Sequence, residues 1–550
     1  MQSITKLYSI PRAHPAIAEP QPATWVRRLG WQFPLFVILG FLATLGLLAL
    51  LSVIQLRWEL AVLVLAPAGL LIVVLGLRQA WSRVGVMRRK LVWWHWLWLL
   101  AFVSSLVFRI RDATEAASAP IDGFAMLRVL PEAIIGLVLL VRLLHRGSSW
   151  WKSSWRGLVG ALSIYGLVCL VSALWSVKPT WTLYKSAEYL LDVTVLSAVL
   201  TTVRSPEAYE SLFNWTLTLC GIELLWTWIG VLIWPAEALG TYPGRLVGVF
   251  PIQSANAIGA SGAILAVVAI SRLLPMARCR FDRSWNALLF LFGVASMIAA
   301  QTRSAMAGFL LGVLLVLVFS QRARIAALLG IAASALLALT SYTVSLIFNP
   351  GASSNAWLDS MVGPSGAVWS FLQRGQSQEQ LESLTGRIGW WQFAWQQFLT
   401  HPWTGLGAYA GGKFAVLSRL GFGDTAQLHS DYLETLVGTS FWGLAPILIA
   451  LFGTWWLLFR FVRNRSLRPF ERQLAVEAMG VLGVITIRSF FNAELVWHAP
   501  QFFLVVLGYA ELLRRSAKQA TLQTATAHPR KGPLNTWRSQ AATDEAEPLF

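Results

Sequence analysis

Apolar runs of about 18 residues or more recur along most of the chain, separated by short polar connections, and each is long enough to cross a bilayer as a helix. The runs are continuous. They lack the two-residue alternation of membrane-barrel strands, so the pattern selects helices. Lipid offers the backbone no hydrogen-bond partner, which leaves each crossing segment to satisfy its own amides. The pattern predicts spans near 33–54, 59–77, 91–109, 125–144, 157–177, 187–203, 211–234, 253–271, 286–301, 303–320, 325–348, 432–459, 473–489 and 499–513. The segment 1–32 is polar and contains prolines, unlike a cleavable leader, so the run 33–54 is expected to be an uncleaved first span.

One long connection interrupts the pattern at 349–430. It begins rich in Pro, Gly and Ser and then turns amphipathic in "GRIGWWQFAWQQFLTHPW". Ile388, Trp391, Trp395 and Phe398 recur there at helical spacing, with Gln392, Gln396 and Gln397 off the stripe, which predicts a helix lying on the membrane surface. Gly405, Gly407, Gly411 and Gly412 predict a turn-rich exit from it. The expected fold class is all-α, a polytopic integral membrane protein with about 12–14 transmembrane helices and one large periplasmic loop. Its organisation would be a cytoplasmic segment 1–32, transmembrane helices over 33–348, the loop 349–430, further transmembrane helices over 431–513 and a disordered cytoplasmic tail 514–550.

Composition agrees, with 56% hydrophobic and 13% charged residues. The net charge of +18 raises the question of a nucleic-acid partner, and the distribution answers it. With the N-terminus in the cytoplasm, 31 of the 44 Lys and Arg fall on inside connections and the remaining 13 outside or in outer halves of spans. Retention of basic loops in the cytoplasm accounts for that split, so no nucleic acid is implied. Tryptophans in "WWHWLW" and "WWKSSW" stand near span ends, where indoles anchor at the lipid–water boundary. Cys169, Cys220 and Cys279 have no metal-ligand spacing and form no disulfide framework.

Some charges fall inside apolar segments. Arg128 and Glu132 lie four apart, and Lys185, Glu188 and Asp192 cluster in another segment. A charge at a span centre costs roughly 2.5–3.5 kcal/mol on insertion scales, so structural ion pairs are expected. The alternative is a solute pathway, which would make the chain a transporter or a flippase of lipid-linked sugars.

The stretch "LHSDYLETLVGTSFWG" places His429, Asp431 and Glu434 where the chain re-enters lipid from the outer side. Asp431 and Glu434 have capping-box spacing, with Asp at the N-cap and Glu at N3. His429 would then stand at a helix N-terminus, where the dipole disfavours imidazolium and welcomes anions. A neutral imidazole there can take a proton from a hydroxyl. Arg245 in "YPGRLVGVFPIQSANAIG", Arg303 in "QTRSAMAGFLLG" and Arg387 at the start of the loop helix share its side. Guanidinium groups grip phosphate oxygens in bidentate fashion. A base with phosphate-gripping arginines points to transfer of a group away from a phosphate leaving group. The outer face offers no acidic pair or His/Cys spacing for a metal, and the chain has no Gly-rich nucleotide loop, so neither metal nor cofactor is expected.

These segments, with "GRIGWWQFAWQQFLTHPWTGLGAYAGGKF" and "HSDYLETLVGTSFWGL", resemble the O-antigen ligase and polymerase superfamily of bacterial membrane glycan transferases over roughly residues 240–445. Members often carry Asn after the histidine, where this chain has Ser430. The resemblance implies a metal-independent, inverting transferase of the membrane GT-C type in the bacterial inner membrane. Its donor would be a glycan on undecaprenyl diphosphate, and its acceptor a glycan or lipid hydroxyl on the periplasmic side. It further implies that His429 is the base and that Arg245 and Arg303 hold the diphosphate. Gly438 and Gly443 would then permit close helix packing.

Overall fold

In a computed structural model of the chain, the described residues are 92–320 and 387–527. Short breaks occur at 108–110, 147–148, 204, 241–244, 251, 275–282, 424, 426, 465–466 and 498–499. The expected spans at 33–54, 59–77 and 325–348 lie outside them, as does the first part of the long loop. The helices, in chain order, are α1 (Trp93–Leu106), α2 (Ala113–Ser118), α3 (Met126–Arg146), α4 (Ser149–Ser154), α5 (Gly157–Val171), α6 (Pro179–Thr202), α7 (Pro206–Ile233) and α8 (Pro235–Gly240). They continue with α9 (Ala255–Leu273), α10 (Arg283–Ala299), α11 (Arg303–Phe319), α12 (Arg387–Thr400), α13 (Asp431–Arg463), α14 (Pro469–Phe491) and α15 (Gln501–Ala527). Among the described residues the only extended pairing is an isolated bridge between Gly248 and Gln253. The protein is an all-α polytopic membrane protein.

Each predicted span on described residues coincides with a helix. α7, α9, α13, α14 and the run Gly157–Leu174 are long and apolar enough to cross a membrane, whereas Trp285–Ala299 and Arg303–Phe319 are apolar but shorter. α15 runs on to Ala527, past the expected end of its span.

α9 packs on α10, α11 and α14, and α11 packs along α14. Small residues set the spacing. A Cβ on Gly262 would sit 2.6 Å from the Gly293 carbonyl oxygen, and one on Gly312 would sit 2.8 Å from that of Gly480. Such close crossings favour helix association where lipid gives no hydrophobic driving force between helices. The α11–α14 crossing also brings the first residues of α11 against the last turn of α14, and the candidate site forms there.

Four of the charges inside the N-terminal helices are paired with one another. Arg128 on α3 bonds Glu132, at 3.4 Å, and also Glu188 on α6, which in turn takes Lys185 at 2.9 Å. Four of the five charges of the two clusters thus form one network joining α3 to α6, while Asp192 accepts from Gln501 Nε2 at 3.4 Å. Its members are engaged with each other, as the ion-pair reading expects.

α12 is helical as predicted, but its apolar face is turned differently. Ala394 and Phe398 are buried in a cluster with Leu406, Leu428, Leu436 and Val437, and Trp390 and Phe393 pack against it. Trp395 remains exposed. The helix docks on the first half of α13, because protein side chains there bury its apolar stripe. After α12 the chain passes the positive-φ residues Gly405 and Gly407 and enters a π-helical turn at Gly411–Leu417. Buried Lys413 in that turn donates to the Arg111 and Gly423 carbonyls, both at 2.9 Å.

This passage crosses α13 where α13 is broken. Ser440 has φ 58° and ψ −155°, so the helix is interrupted and nearby carbonyls need partners. The Leu406 amide donates to the Val437 carbonyl at 2.8 Å, and the Gly407 amide to Gly438 at 2.9 Å. Irregular backbone in a membrane helix is tolerated where protein supplies such bonds. Gly438 is therefore needed for the approach of this loop, since its Cβ would lie 3.1 Å from Ala408 Cα. The expected helix packing at Gly443 is not found: a Cβ there would meet Thr439 and Thr435 of its own helix.

Candidate active site

α13 begins at Asp431 with Ser430 as N-cap, and no side chain caps it. The capping box read from the sequence is not formed. Asp431 Oδ2 instead accepts the amides of Glu494, at 2.8 Å, and Leu495, at 3.0 Å, on the segment leaving α14. Glu434 accepts the Leu428 amide at 2.9 Å. Both carboxylates are buried, so they satisfy backbone donors of the chains packed beside α13. The effect is to pin Leu428 and the 494–495 segment on either side of His429.

His429 has φ 55°, a left-handed conformation that costs an ordinary residue roughly 1–2 kcal/mol and that His tolerates better than most. Gln301, two residues before Arg303, is also left-handed at φ 50°. Strain of this kind is held only where the surroundings over-determine it, often at functional sites. The surroundings of His429 are specific. Its half-buried ring stacks over Trp390, centroids 6.3 Å apart and planes 22° apart. Trp391 on the same helix donates its indole N–H to the Leu428 carbonyl at 2.9 Å. His429 Nδ1 lies 3.1 Å from Asn492 Oδ1. Burial, with Arg387 and Arg488 nearby, pulls its pKa from 6.5 down to about 3, so the ring is neutral at physiological pH.

The arginines converge on the same place. Arg387 opens α12 and donates Nη1 to the Phe491 carbonyl at 2.7 Å. Burial and then the crowding of Arg488, Arg303 and Arg245 lower its pKa from 12.5 to about 10. Arg245 donates Nε to the Ala300 carbonyl at 3.3 Å, which ties the 245–248 segment to the turn before α11. Thr302 in that turn donates to the Ala255 carbonyl at 2.9 Å, fixing the start of α11 against α9. Arg303 is the first residue of α11. His429, Arg245, Arg303 and Arg387, the candidates of the sequence, are therefore brought together from four separate segments.

Three further residues belong to this site and are not among those candidates. Arg488, fully buried, gives Nε and Nη2 to Glu494 Oε1 at 2.8 and 2.5 Å, with Nη1 3.4 Å from Ser304 Oγ. Asn492 donates Nδ2 to Glu494 Oε1 at 2.9 Å, and its Oδ1 also receives Gln427 Nε2 at 3.3 Å. The signal available for Arg488 is an arginine at the outer end of a span, on the face poor in basic residues, the same reasoning that picks out Arg245. Arg387 and Arg488 thus lie beside a neutral imidazole, Arg245 and Arg303 lie near Arg387, and Glu494 pairs with Arg488. A bound anion would relieve the repulsion that lowers the pKa of Arg387. Among the described residues no group of three or more His, Cys, Asp and Glu is placed to hold a metal ion.

The fold is that of a helical membrane protein, with one histidine and several arginines gathered at one end of the bundle. Residues 288–448 match the family model described as O-antigen ligase, which supports a likeness to the O-antigen ligase-like superfamily and a membrane glycan ligase- or polymerase-type function. The matched stretch contains Arg303, Arg387 and His429, while Arg245, Arg488, Asn492 and Glu494 lie outside it. No curated protein matches the chain.

Proposed function

We propose that this protein transfers a glycan from undecaprenyl diphosphate onto an acceptor hydroxyl, in the synthesis of lipopolysaccharide, O-antigen or exopolysaccharide. The observation that carries this reading is the convergence of one neutral imidazole and four arginines at one end of the bundle. His429 takes the proton of the acceptor hydroxyl as its oxygen attacks the anomeric carbon of the donor. The bond from that carbon to the diphosphate oxygen breaks with inversion, and both electrons leave with the diphosphate. Arg245, Arg303 and Arg387 bind that diphosphate and stabilise its growing charge, a role for preorganised cations that requires no metal. Ligation onto a lipid acceptor and polymerisation of lipid-linked units use the same donor and the same base.

The test is a purified assay with lipid-linked donor in excess chelator. Turnover should persist there, and Arg245→Ala and Arg303→Ala should weaken donor binding, with Lys replacements rescuing only partly because the ammonium lacks the bidentate fork. Wild-type donor affinity in both Ala variants, or turnover that needs added magnesium, would remove the assigned roles.

The proposed setting is the bacterial inner membrane with this site on the periplasmic side. The cluster of His429 and Arg387 lies at the Asp431 end of α13, and Arg460 and Arg463 lie in its last turn at the other end. In a cysteine-free background, Ser418→Cys should react with an impermeant thiol reagent in intact spheroplasts, and Asn464→Cys should react only after lysis. The reverse pattern would place the histidine in the cytoplasm, away from any periplasmic acceptor.

A further inference from the structure

We propose that Asn492, held by Glu494, is a positioning residue that fixes His429 as the tautomer with its proton on Nδ1 and its lone pair on Nε2. This rests on the reading of His429 as the base, and it concerns which ring nitrogen does the work.

Glu494 Oε1 takes two bonds from Arg488 and lies 2.9 Å from one terminal atom of the Asn492 amide. A carboxylate so engaged only accepts, so the amide atom facing it must be the NH₂ group. The other terminal atom is therefore the carbonyl oxygen, and it lies 3.1 Å from His429 Nδ1. Gln427 Nε2 approaches the same oxygen at 3.3 Å, as a donor should. An amide oxygen cannot donate. In a neutral imidazole, Nδ1 must then carry the hydrogen, and Nε2 is left as the acceptor. The ring is held in that orientation by Trp390 on one face. Asp431, which fixes the Glu494 and Leu495 amides, sets the height of this relay against α13.

The arrangement matters because a base with the wrong tautomer presents an N–H to the hydroxyl and cannot take its proton. Aligning an amide rather than a carboxylate on Nδ1 supplies the tautomer without adding a negative charge beside the donor diphosphate. The charges acting on the ring are Arg387 on α12 and Arg488 at the end of α14; Glu494 is engaged by Arg488 and Asn492, Asp431 by the Glu494 and Leu495 amides, and Arg303 and Arg245 act on Arg387.

Two variants and two readouts test the proposal. Asn492→Ala should lower turnover on the order of 10²-fold, the low end of a general-base contribution, with donor affinity little changed. Asn492→Asp should retain most of the turnover: its second oxygen meets Glu494 Oε1, so the two carboxyls hold one proton between them, and its first oxygen still accepts from Nδ1. A purely structural asparagine would make both variants fail alike. The second readout needs no donor: solid-state ¹⁵N spectra of histidine-labelled protein in liposomes, differenced against His429→Gln, should show a protonated Nδ1 that is lost in Asn492→Ala. An unprotonated Nδ1 in the parent protein, or a tautomer unaltered by Asn492→Ala, would overturn the inference. Full transfer by His429→Ala would instead overturn the base assignment, whatever the spectra show.

Discussion

His429→Ala should abolish glycan transfer while the protein remains folded and able to bind donor. General-base catalysis typically contributes about 10²–10⁴-fold, and the loss should fall on turnover because the base acts on the acceptor proton during chemistry. The backbone demands a control. Alanine at φ 55° is no better suited to the left-handed region than histidine, so part of any loss could reflect a shifted loop. Asparagine tolerates that region and is too short and too weakly basic to take the proton. His429→Asn should therefore keep the thermal midpoint of the parent and lose turnover as fully as His429→Ala. Near-normal turnover in the asparagine variant would show that this histidine is not the base.

Glu477→Leu should destabilise the protein by about 3–5 kcal/mol, the range for stripping one partner from a buried ion pair. Arg272, in the last turn of α9, reaches Glu477 on α14 with Nε 3.1 Å from both carboxylate oxygens and Nη2 3.0 Å from Oε2. Their side chains are 8% and 2% exposed, so no water stands ready to replace the lost carboxylate. The pair lies at the end of the bundle away from His429, and its loss should show in the thermal midpoint in detergent before it shows in turnover. The double variant Arg272→Met/Glu477→Met should recover most of the midpoint, since apolar packing often replaces a buried pair without net cost. A Glu477→Leu protein as stable as the parent would mean that the pair contributes nothing to holding α9 on α14.

Much of the site is legible in the sequence. His429, Arg245, Arg303 and Arg387 stand out there because sidedness in a membrane protein is written locally, in which connections carry Lys and Arg. Residues expected on the same face of a bilayer are already confined to a thin layer, which makes their convergence a short step. Arg488 does not stand out, because it sits within the apolar run of α14 and has the look of a boundary charge. Asp431 and Glu434 mislead for a different reason. Their spacing fits a capping box, but spacing shows which bonds a helix could make with itself and not which backbone donors arrive from elsewhere.

By itself the sequence determined the fold class and the membrane helices on described residues, and it marked the histidine and three arginines as candidates for one site. These depend on hydropathy and charge over windows of about 20 residues, which lipid reads almost one residue at a time. Only the tertiary structure decided the rest: the docking of α12 on α13, the break at Ser440 bridged by Leu406 and Gly407, the union of Arg128 with Glu188, and the relay from Arg488 through Glu494 and Asn492 to His429. Each of these joins residues distant in sequence or turns a side chain away from its own helix. Such contacts are fixed by how whole helices pack, through small-residue crossings and the satisfaction of buried polar groups, and no local pattern encodes them.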